Sequence, residues 1–486
     1  MSTATLVTFI VYLVGMLAIG IFFYRMTNSL SDYVLGGRGL GPGVAALSAG
    51  ASDMSGWLLL GLPGSAYVSG FSSAWIAIGL AIGAYINWQF VARRLRSYSE
   101  VSNNSITIPD YLENRFRDSS KVLRMISALV ILIFFTFYTS SGLVAGGKLF
   151  ESSFGLEYTT ALWIGAIVII SYTFLGGFLA VSWTDFIQGL LMFAALIVVP
   201  IVAISEVGGW DQTVQKVGAL NPDGLDIYAG TTTLGIISLL AWGLGYFGQP
   251  HIITRFMALK SVRDVPKARL IGTVWMVIGL FGAIFTGFAG IAYFADKPLA
   301  DPETVFMDLS QILFNPLVAG ILLAAILSAI MSTIDSQLLV SSSAVAEDFY
   351  KAIFRREASQ KELVRVGRIS VAVIALIAIL LAMNPESSVL NLVSYAWGGF
   401  GAAFGPIILF SLFWKRTNRN GALAGIISGA IVVVVWEKLS GGLFDLYEIV
   451  PGFIISSLAI IFVSLITLHP NEEIENEFEE AKKTAY

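Results

Sequence analysis

The chain has no cysteine, and it has only two histidines, His251 and His469. These absences exclude disulfide bonds, thiol catalysis and metal sites built from cysteine or clustered histidine. Charged residues are also scarce, at 13% of the chain, whereas hydrophobic residues make up 56% of it. A soluble protein of this size cannot bury so much apolar surface, so the composition predicts a polytopic membrane protein.

Motifs of common catalytic sites are missing as well. The sequence contains no H-E-x-x-H, no G-x-x-x-x-G-K-[ST] and no G-x-S-x-G pattern. The glycine-rich run 36–41 resembles a phosphate-binding loop only superficially, because it does not lie between a strand and a helix. No basic domain is visible that would bind nucleic acid. We therefore expect neither an enzyme nor a nucleic-acid partner.

Apolar segments that are long enough to cross a lipid bilayer recur along the whole chain. A membrane-spanning helix needs about 20 apolar residues, and on that criterion the sequence predicts about thirteen helices in an all-α fold. They lie near residues 5–24, 44–67, 72–92, 123–147, 158–177, 183–205, 232–256, 272–294, 312–345, 368–384, 388–413, 421–436 and 450–468. We expect the first to be a retained helix rather than a signal peptide, because it lacks a basic n-region and a cleavage site.

The charges between these helices predict their orientation. The basic loops are 93–124, 255–269, 351–368 and 415–419, and the loops between them are acidic or neutral. By the positive-inside rule, this pattern places the N-terminus outside and the C-terminus in the cytoplasm. Residues 1–468 then form one transmembrane domain, and residues 469–486 form an acidic cytoplasmic tail.

One carboxylate, Asp53, lies inside a predicted span and is surrounded by small residues. An ionised aspartate at bilayer depth costs roughly 2.5–3.5 kcal/mol, so Asp53 needs a compensating partner. Small residues allow the helix to open and expose backbone carbonyls, which together with serine hydroxyls suit a hard monovalent cation. The alternative is a helix-packing face in which the polar residue is already satisfied.

The segment 328–337 is the richest polar stretch inside a span. The residues that share one helix face are Ala329, Ser332, Thr333 and Ser336, and Asp335 can join them. Two hydroxyls, the Ala329 carbonyl and an opened backbone at Ala51 and Met54 would give about five oxygens, which is a plausible Na⁺ shell. The alternative is that the hydroxyls bond back to carbonyls of the preceding turn.

Two further aspartates leave alternatives open. Asp185 is at the predicted start of a span, where it is either a helix cap or a functional carboxylate. Asp335 can approach it from the same side, and two carboxylates that share a site need a cation or a proton between them. Alternatively, Asp335 lines a wet inner vestibule or pairs with a basic residue such as Arg38.

An aromatic stripe is predicted in the helix 232–256. Trp242, Tyr246 and Pro250 follow one another at i, i+4 and i+8, and the glycines beside them leave room for a cavity. Core packing or contact with lipid is the alternative for such a stripe. Tyr138 is a weaker candidate of the same kind.

Taken together, these residues resemble the sodium/solute symporter family over nearly the whole chain. The stretches that carry the resemblance are 48–57 (SAGASDMSGW), 176–185 (GGFLAVSWTD), 242–251 (WGLGYFGQPH) and 394–397 (SYAW). The resemblance implies a leucine-transporter-type fold made of two inverted five-helix repeats. The first repeat would span about 44–205 and the second about 232–413, with extra helices at 5–24, 421–436 and 450–468.

The resemblance also implies roles for individual residues. The sodium site would consist of Ala51, Met54, Ala329, Ser332 and Thr333. The proline pocket would consist of Ser55, Gly56, Trp57, Tyr138, Trp242, Tyr246 and Pro250. Asp53 matches an essential carboxylate beside the sodium site, and Asp185 matches a carboxylate that is tied to a second sodium ion in some relatives. Asp335 and Ser336 are further residues linked to sodium. Many relatives have a hydroxyl-rich version of this segment, and because Asp335 departs from it, the number of cations that move, one or two, stays open.

The function that the resemblance implies is sodium-coupled import of L-proline across the bacterial plasma membrane by alternating access. Na⁺ would be the co-transported ion, and the lipid bilayer would surround the protein. Within the same class, the alternative is a symporter of this family for another small solute. From other classes, the alternatives are an intramembrane aspartyl protease, whose flanking motifs are missing, and a channel or membrane sensor.

Overall fold

The computed structural model describes residues 3–24, 26, 29–173, 177–384 and 386–485. Within these ranges the chain is helical and contains no strand, only an isolated bridge between Leu40 and Leu259. This confirms the predicted all-α class. Gly176 and the last turn of the predicted helix 158–177 fall on residues 174–176, which lie outside the described residues.

Eleven α-helices form the described part of the chain up to residue 207. They are α1 (Thr3–Tyr24), α2 (Leu30–Leu35), α3 (Pro42–Asp53), α4 (Gly56–Leu59), α5 (Gly61–Ser69), α6 (Ala74–Ile86), α7 (Ala92–Val101), α8 (Ile108–Phe116), α9 (Val122–Phe154), α10 (Tyr158–Thr173) and α11 (Phe178–Val207). A π-helical turn, Asn87–Val91, joins α6 to α7.

Eleven more α-helices follow in the described part of the second half. They are α12 (Trp210–Leu220), α13 (Thr233–Leu240), α14 (Pro250–Ala258), α15 (Val265–Tyr293), α16 (Val305–Leu313), α17 (Pro316–Ser343), α18 (Gln360–Leu381), α19 (Val389–Phe413), α20 (Arg419–Trp436), α21 (Ile449–Ile466) and α22 (Glu472–Thr484). A 3₁₀-helix, Ala241–Gly248, follows α13, and a π-helix, Ala344–Phe354, extends α17.

Ten helical runs in the described ranges are long and apolar enough to cross a membrane. They are Thr3–Phe23, Gly56–Val101, Val122–Phe154, Phe178–Val207, Val262–Tyr293, Pro316–Phe354, Gln360–Leu381, Val389–Phe413, Arg419–Trp436 and Ile449–Ile466. Two shorter apolar runs are Tyr158–Ser171 and Thr233–Gly248. Every predicted span overlaps a helix, but the count of thirteen stays a prediction.

Three predicted helices differ from the structure in a way that has a local cause. The predicted helix 312–345 is two helices, because Asn315 caps α17 with its side chain and Pro316 follows at the first helical position. The predicted helix 44–67 is interrupted at Met54 and Ser55, whose backbone angles are non-helical. The third, 232–256, is interrupted at Gln249, which is extended with ψ 107°.

The two interrupted helices pack together in the centre of the protein. The inner segments α3 and α14 pack on one another, and both also contact α17. Glycines permit this close approach: a Cβ at Gly245 would overlap the indole of Trp397, and a Cβ at Gly248 would overlap the backbone at Phe400. The second interruption therefore lies where helices pack closely in the core.

The four basic loops of the sequence meet at one end of the helix bundle, which we call the basic face. Arg96 donates to the carbonyl oxygen of Leu259 at 2.6 Å, and Lys121 donates to that of Ala352 at 2.7 Å. Arg419 forms an ion pair with Asp118 at 2.7 Å. The acidic helix α22 docks on the same face through Phe478, which is buried against Tyr98 and Arg115.

Candidate functional site

The break between α3 and α4 places Asp53 at the centre of the protein. The residue is fully buried, and its Oδ2 accepts a hydrogen bond from the Tyr246 hydroxyl. Its backbone carbonyl accepts hydrogen bonds from Trp57 Nε1 at 3.3 Å and from the Tyr138 hydroxyl at 3.4 Å. The other carboxylate oxygen, Oδ1, accepts none from the described residues. An acceptor that is buried without a donor is costly, so this oxygen favours a cation nearby.

A group of four oxygens lies between α3 and α17, and its α3 member, the Ala51 carbonyl, is two residues before Asp53. The Ser332 hydroxyl is 2.8 Å from the Ala51 carbonyl oxygen and 3.2 Å from that of Ala329. The Thr333 hydroxyl is 3.4 Å from the same Ala51 oxygen and 3.1 Å from that of Ala329. We call these four residues the oxygen cluster.

The chemistry of the oxygen cluster fits a sodium ion. Each hydroxyl has a single proton, so it satisfies only one of its two carbonyl neighbours at a time. Neutral carbonyl and hydroxyl oxygens are ligands that hard cations accept. Met54, the fifth predicted ligand, is fully buried at the break, and its ψ of 49° turns its carbonyl away from the axis of α3. The structure thus brings the five predicted residues to one place, although the interhelical bonds of Ser332 and Thr333 coexist with back-bonding inside α17.

An aromatic group lies on the other side of the break. The ring centroids of Trp57 and Trp242 are 5.8 Å apart, and those of Tyr246 and Trp397 are 5.1 Å apart. Trp397 Nε1 donates to the carbonyl of Trp242 at 2.7 Å. Ser55 caps α4 by accepting from the amide of Trp57 at 3.4 Å. We call Ser55, Gly56, Trp57, Tyr138, Trp242, Tyr246, Pro250 and Trp397 the aromatic pocket.

The aromatic stripe of the prediction is organised differently in the structure. Residues 241–248 form a 3₁₀-helix, so Trp242, Tyr246 and Pro250 do not follow the period of an α-helix. Instead, Trp242 and Tyr246 both contact the ring of Trp397, and Pro250 begins α14. Sequence reasoning missed Trp397 as a site residue. Its signal was present in the SYAW stretch, but an aromatic residue in an apolar span does not by itself point to a site.

A second polar cluster is centred on Arg255, which is fully buried. Its guanidinium donates to Asp185 Oδ2 at 3.3 Å, to Ser336 Oγ at 2.5 Å and to Ser48 Oγ at 3.1 Å. Ser48 in turn donates to Asp185 Oδ2 at 2.6 Å. We call these four residues the arginine cluster. Sequence reasoning counted Arg255 as a loop residue and missed it as a partner of Asp185 and Ser336.

Three predicted alternatives for these aspartates are wrong. Asp185 is not a helix cap, because α11 begins at Phe178 and Asp185 lies two turns inside it. Asp335 does not line a wet vestibule, since it is fully buried, and neither of its oxygens accepts a hydrogen bond from a described residue. It does not pair with Arg38 either. That side chain donates instead to carbonyls of Met257 and Ser105, each at 2.7 Å.

The site is closed to solvent on both sides. Exposed fractions are 1% for Ser55 and Trp57, 0% for Tyr138 and 5% for Trp242. Toward the basic face, the buried arginine cluster follows the site. At the opposite end, Lys148 forms ion pairs with Asp301 at 2.8 Å and with Glu303 at 2.7 Å. A molecule therefore enters or leaves only after helices move apart.

Comparisons with known proteins identify the family of the chain. The profile of the sodium:solute symporter family matches residues 33–429. The high-affinity proline transporter PutP of Bacillus subtilis is 56% identical over 472 residues, which cover 96% of this chain and 99% of that protein. The sodium/proline symporter of Escherichia coli is 56% identical over 486 residues, which cover 99% of this chain and 96% of that protein.

Solved structures confirm the type of fold. A Na⁺-coupled sialic acid symporter in a substrate-bound outward-open state superposes with a TM-score of 0.82 at 21% identity, covering 97% of this chain and 99% of that one. MhsT in complex with L-phenylalanine superposes with a TM-score of 0.55 at 16% identity, covering 88% and 98%. These similarities show that the chain has the leucine-transporter-type fold.

Proposed function

The chain belongs to the sodium:solute symporter family, and from this premise we propose that it imports L-proline together with Na⁺. The protein is then a secondary active transporter of the multi-pass membrane class and not an enzyme. Curated relatives that are 56% identical over almost their full length carry the names proline transporter and sodium/proline symporter.

The observation that carries the proposal is the break at Met54 and Ser55. Before this break, the Ala51 carbonyl accepts hydrogen bonds from Ser332 and Thr333. After it, Ser55, Gly56 and Trp57 form part of the aromatic pocket. An ion and a solute that bind on the two sides of one short break stabilise the same backbone conformation. Each then raises the affinity for the other, which is the thermodynamic content of co-transport.

We assign the two ligands by their chemistry. Na⁺ lies among Ala51, Met54, Ala329, Ser332 and Thr333, whose donors are neutral oxygens. Proline lies in the aromatic pocket, with its pyrrolidine ring on Trp242 and Tyr246 and its carboxylate at the first amides of α4. Asp53 lies between the two and has one oxygen without a donor among the described residues. A bound cation compensates the charge of that unpaired oxygen, so binding at the site depends on Na⁺.

The sodium gradient supplies the energy for accumulation. One charge that moves through 100 mV yields about 2.3 kcal/mol. Since each 1.4 kcal/mol is a factor of ten, the potential alone supports a proline gradient of roughly fifty-fold per 100 mV for one Na⁺ per proline. The sodium concentration ratio adds to this.

The membrane in question is the bacterial plasma membrane, with the N-terminus outside and the C-terminus in the cytoplasm. The contacts that join the four basic loops into one face support this orientation, because the positive-inside rule assigns such a face to the cytoplasm. Inverted repeats over about 44–205 and 232–413 are consistent with the two interrupted helices, each of which lies near the start of its repeat. Residues 469–486 then form a cytoplasmic tail, of which α22 is the helical part.

The test is counterflow in proteoliposomes. Vesicles loaded with Na⁺ and unlabelled proline are diluted into Na⁺ buffer that contains a trace of labelled proline. A carrier accumulates label transiently above equilibrium, whereas a channel, a sensor or a protease does not. Loading with other small solutes in place of proline tests the alternative within the family: strong counterflow with another solute and none with proline would overturn the substrate assignment.

A further inference from the structure

Arg255 joins four helices at a single buried point. It lies on α14 and donates to Ser48 on α3, to Asp185 on α11 and to Ser336 on α17. A third nitrogen donates to the His251 carbonyl of its own helix at 2.7 Å, and the guanidinium lies over the Phe178 ring at 5.1 Å. The side chain is fully buried, so this cation is held by protein groups alone.

The arginine cluster lies between the oxygen cluster and the basic face. On α17, Ser336 follows Ser332 and Thr333 by one turn, which is about 5 Å, and the same helix continues as the π-helix that meets Lys121 and Arg124 on the basic face. On α3, Ser48 precedes Ala51 by about one turn, and this helix begins beside the 255–269 loop. Both helices therefore place the arginine cluster one turn nearer the basic face.

The partners of Arg255 are oxygens of the kind that bind Na⁺. They are two serine hydroxyls and one carboxylate oxygen, all fully buried or nearly so. An oxygen set of this composition would suit Na⁺ if the guanidinium were absent. In the structure, the guanidinium takes these oxygens and brings a positive charge that repels a second cation.

We infer that Arg255 is a tethered cation that blocks the passage of Na⁺ between the oxygen cluster and the basic face. This inference rests on the proposed function. Na⁺ passes only after the guanidinium leaves Asp185, Ser48 and Ser336. Arg255 is thus a positioning residue of the transport cycle and touches neither proline nor the bound ion.

The position of Arg255 in the chain connects this block to the aromatic pocket. Its helix, α14, begins at Pro250, directly after Gln249, whose side-chain amide donates to the Trp397 carbonyl at 3.1 Å. Tyr246 precedes that junction by one 3₁₀ turn and contacts both Asp53 and the Trp397 ring. A rearrangement of the pocket around proline therefore reaches Arg255 through a few residues of backbone, so that release of Na⁺ follows the loading of proline.

The experiment measures ²²Na⁺ and labelled proline fluxes in the same proteoliposomes, with and without proline. Arg255→Gln removes the charge, Arg255→Lys keeps a tethered cation, and Arg263→Gln removes an exposed positive charge from the same face as a matched control. In Arg255→Gln, we expect proline-independent ²²Na⁺ flux to rise on the order of tenfold or more, because the substitution removes a unit positive charge about one helical turn from the ion site. The ratio of Na⁺ to proline should rise with it.

The other variants keep the result interpretable. Arg255→Lys and Arg263→Gln should retain the wild-type ratio. Ser336→Ala removes one anchor of the guanidinium without unpairing Asp185, and it should show a smaller leak even if Arg255→Gln fails to fold. The inference would be overturned if the Na⁺ and proline fluxes stayed tightly coupled in both Arg255→Gln and Ser336→Ala. If Arg255→Gln cannot be purified in folded form, tightly coupled fluxes in Ser336→Ala would overturn it. Wild-type protein without sodium-dependent proline uptake would overturn the proposed function instead.

Discussion

Ser332→Ala is the substitution that tests the sodium site most sharply. The hydroxyl lies 2.8 Å from the Ala51 carbonyl and 3.2 Å from the Ala329 carbonyl, so it is central to the oxygen cluster. Removing one partner of a charged group costs roughly 1.5–3 kcal/mol. Since 1.4 kcal/mol is a factor of ten, the sodium concentration for half-maximal uptake should rise roughly 10- to 150-fold.

The assay is initial-rate uptake of labelled proline in proteoliposomes, with Na⁺ varied at constant ionic strength. At saturating Na⁺, the apparent affinity for proline should return to the wild-type value, because proline binds the sodium-loaded form. Thr333→Ala should behave in the same way, with a smaller shift because its hydroxyl is 3.4 Å from the Ala51 carbonyl.

Ser343→Ala is the matched control, since among the described residues that buried hydroxyl on α17 bonds only to the Leu339 carbonyl of its own helix, at 2.8 Å. It should leave the sodium dependence unchanged. A half-maximal sodium concentration within about twofold of wild type in both Ser332→Ala and Thr333→Ala, at equal expression, would refute the assignment of these hydroxyls as ligands. A twofold shift corresponds to only about 0.4 kcal/mol.

Three further predictions concern the neighbouring residues. Asp53→Asn keeps the size of the side chain but removes its charge, so it should abolish sodium-driven uptake while the protein stays in the membrane; wild-type uptake at equal expression would contradict the role of Asp53. Trp397→Phe keeps a ring but leaves the buried Trp242 carbonyl without its donor, at a cost of about 1–3 kcal/mol. The half-maximal proline concentration should therefore rise at least about fivefold, and an equal shift in the sodium requirement would place the indole outside the proline pocket. Asp335→Ser should leave proline binding intact while it lowers the Hill coefficient for sodium or alters the rate of release, and unchanged cooperativity and release kinetics in pre-steady-state measurements would remove Asp335 from the sodium pathway.

Sequence reasoning located the site residues that interrupt an apolar run with polar groups. Asp53 among small residues, and Ser332 with Thr333 in a long span, stand out because hydrocarbon tolerates such groups only when they have partners. The structure brings Ser332 and Thr333 on α17 to the Ala51 carbonyl of α3, two residues before Asp53. The proximity was proposed from chemistry, since two segments far apart in sequence carry no other sign of contact.

The parts that sequence reasoning missed depend on exact helix ends and on long-range packing. Asp185 resembled a cap because the start of α11 was placed five residues too late. Arg255 was counted with a basic loop, although the end of α14 buries it against Asp185. Composition alone does not separate a loop arginine from a buried one, since only the tertiary fold brings an acidic partner to it.

The geometry of the aromatic pocket was also beyond sequence reasoning. Glycines at 243, 245 and 248 were predicted to leave room for a cavity, but they lie in a 3₁₀ segment whose neighbours pack closely against them. Their role becomes clear only from what a Cβ would meet, such as the Trp397 indole at Gly245. Close packing of this kind is set by residues on other helices.

Sodium-driven accumulation in purified, reconstituted protein tests the central claim most directly. Proteoliposomes without internal Na⁺ are diluted into medium that contains labelled proline and either Na⁺ or K⁺, with the membrane potential clamped in both. We predict transient accumulation of proline above the external concentration with Na⁺ only, and its collapse when a sodium ionophore is added. Equal uptake in the two media, or uptake that never exceeds equilibrium, would contradict sodium-coupled proline transport by this chain.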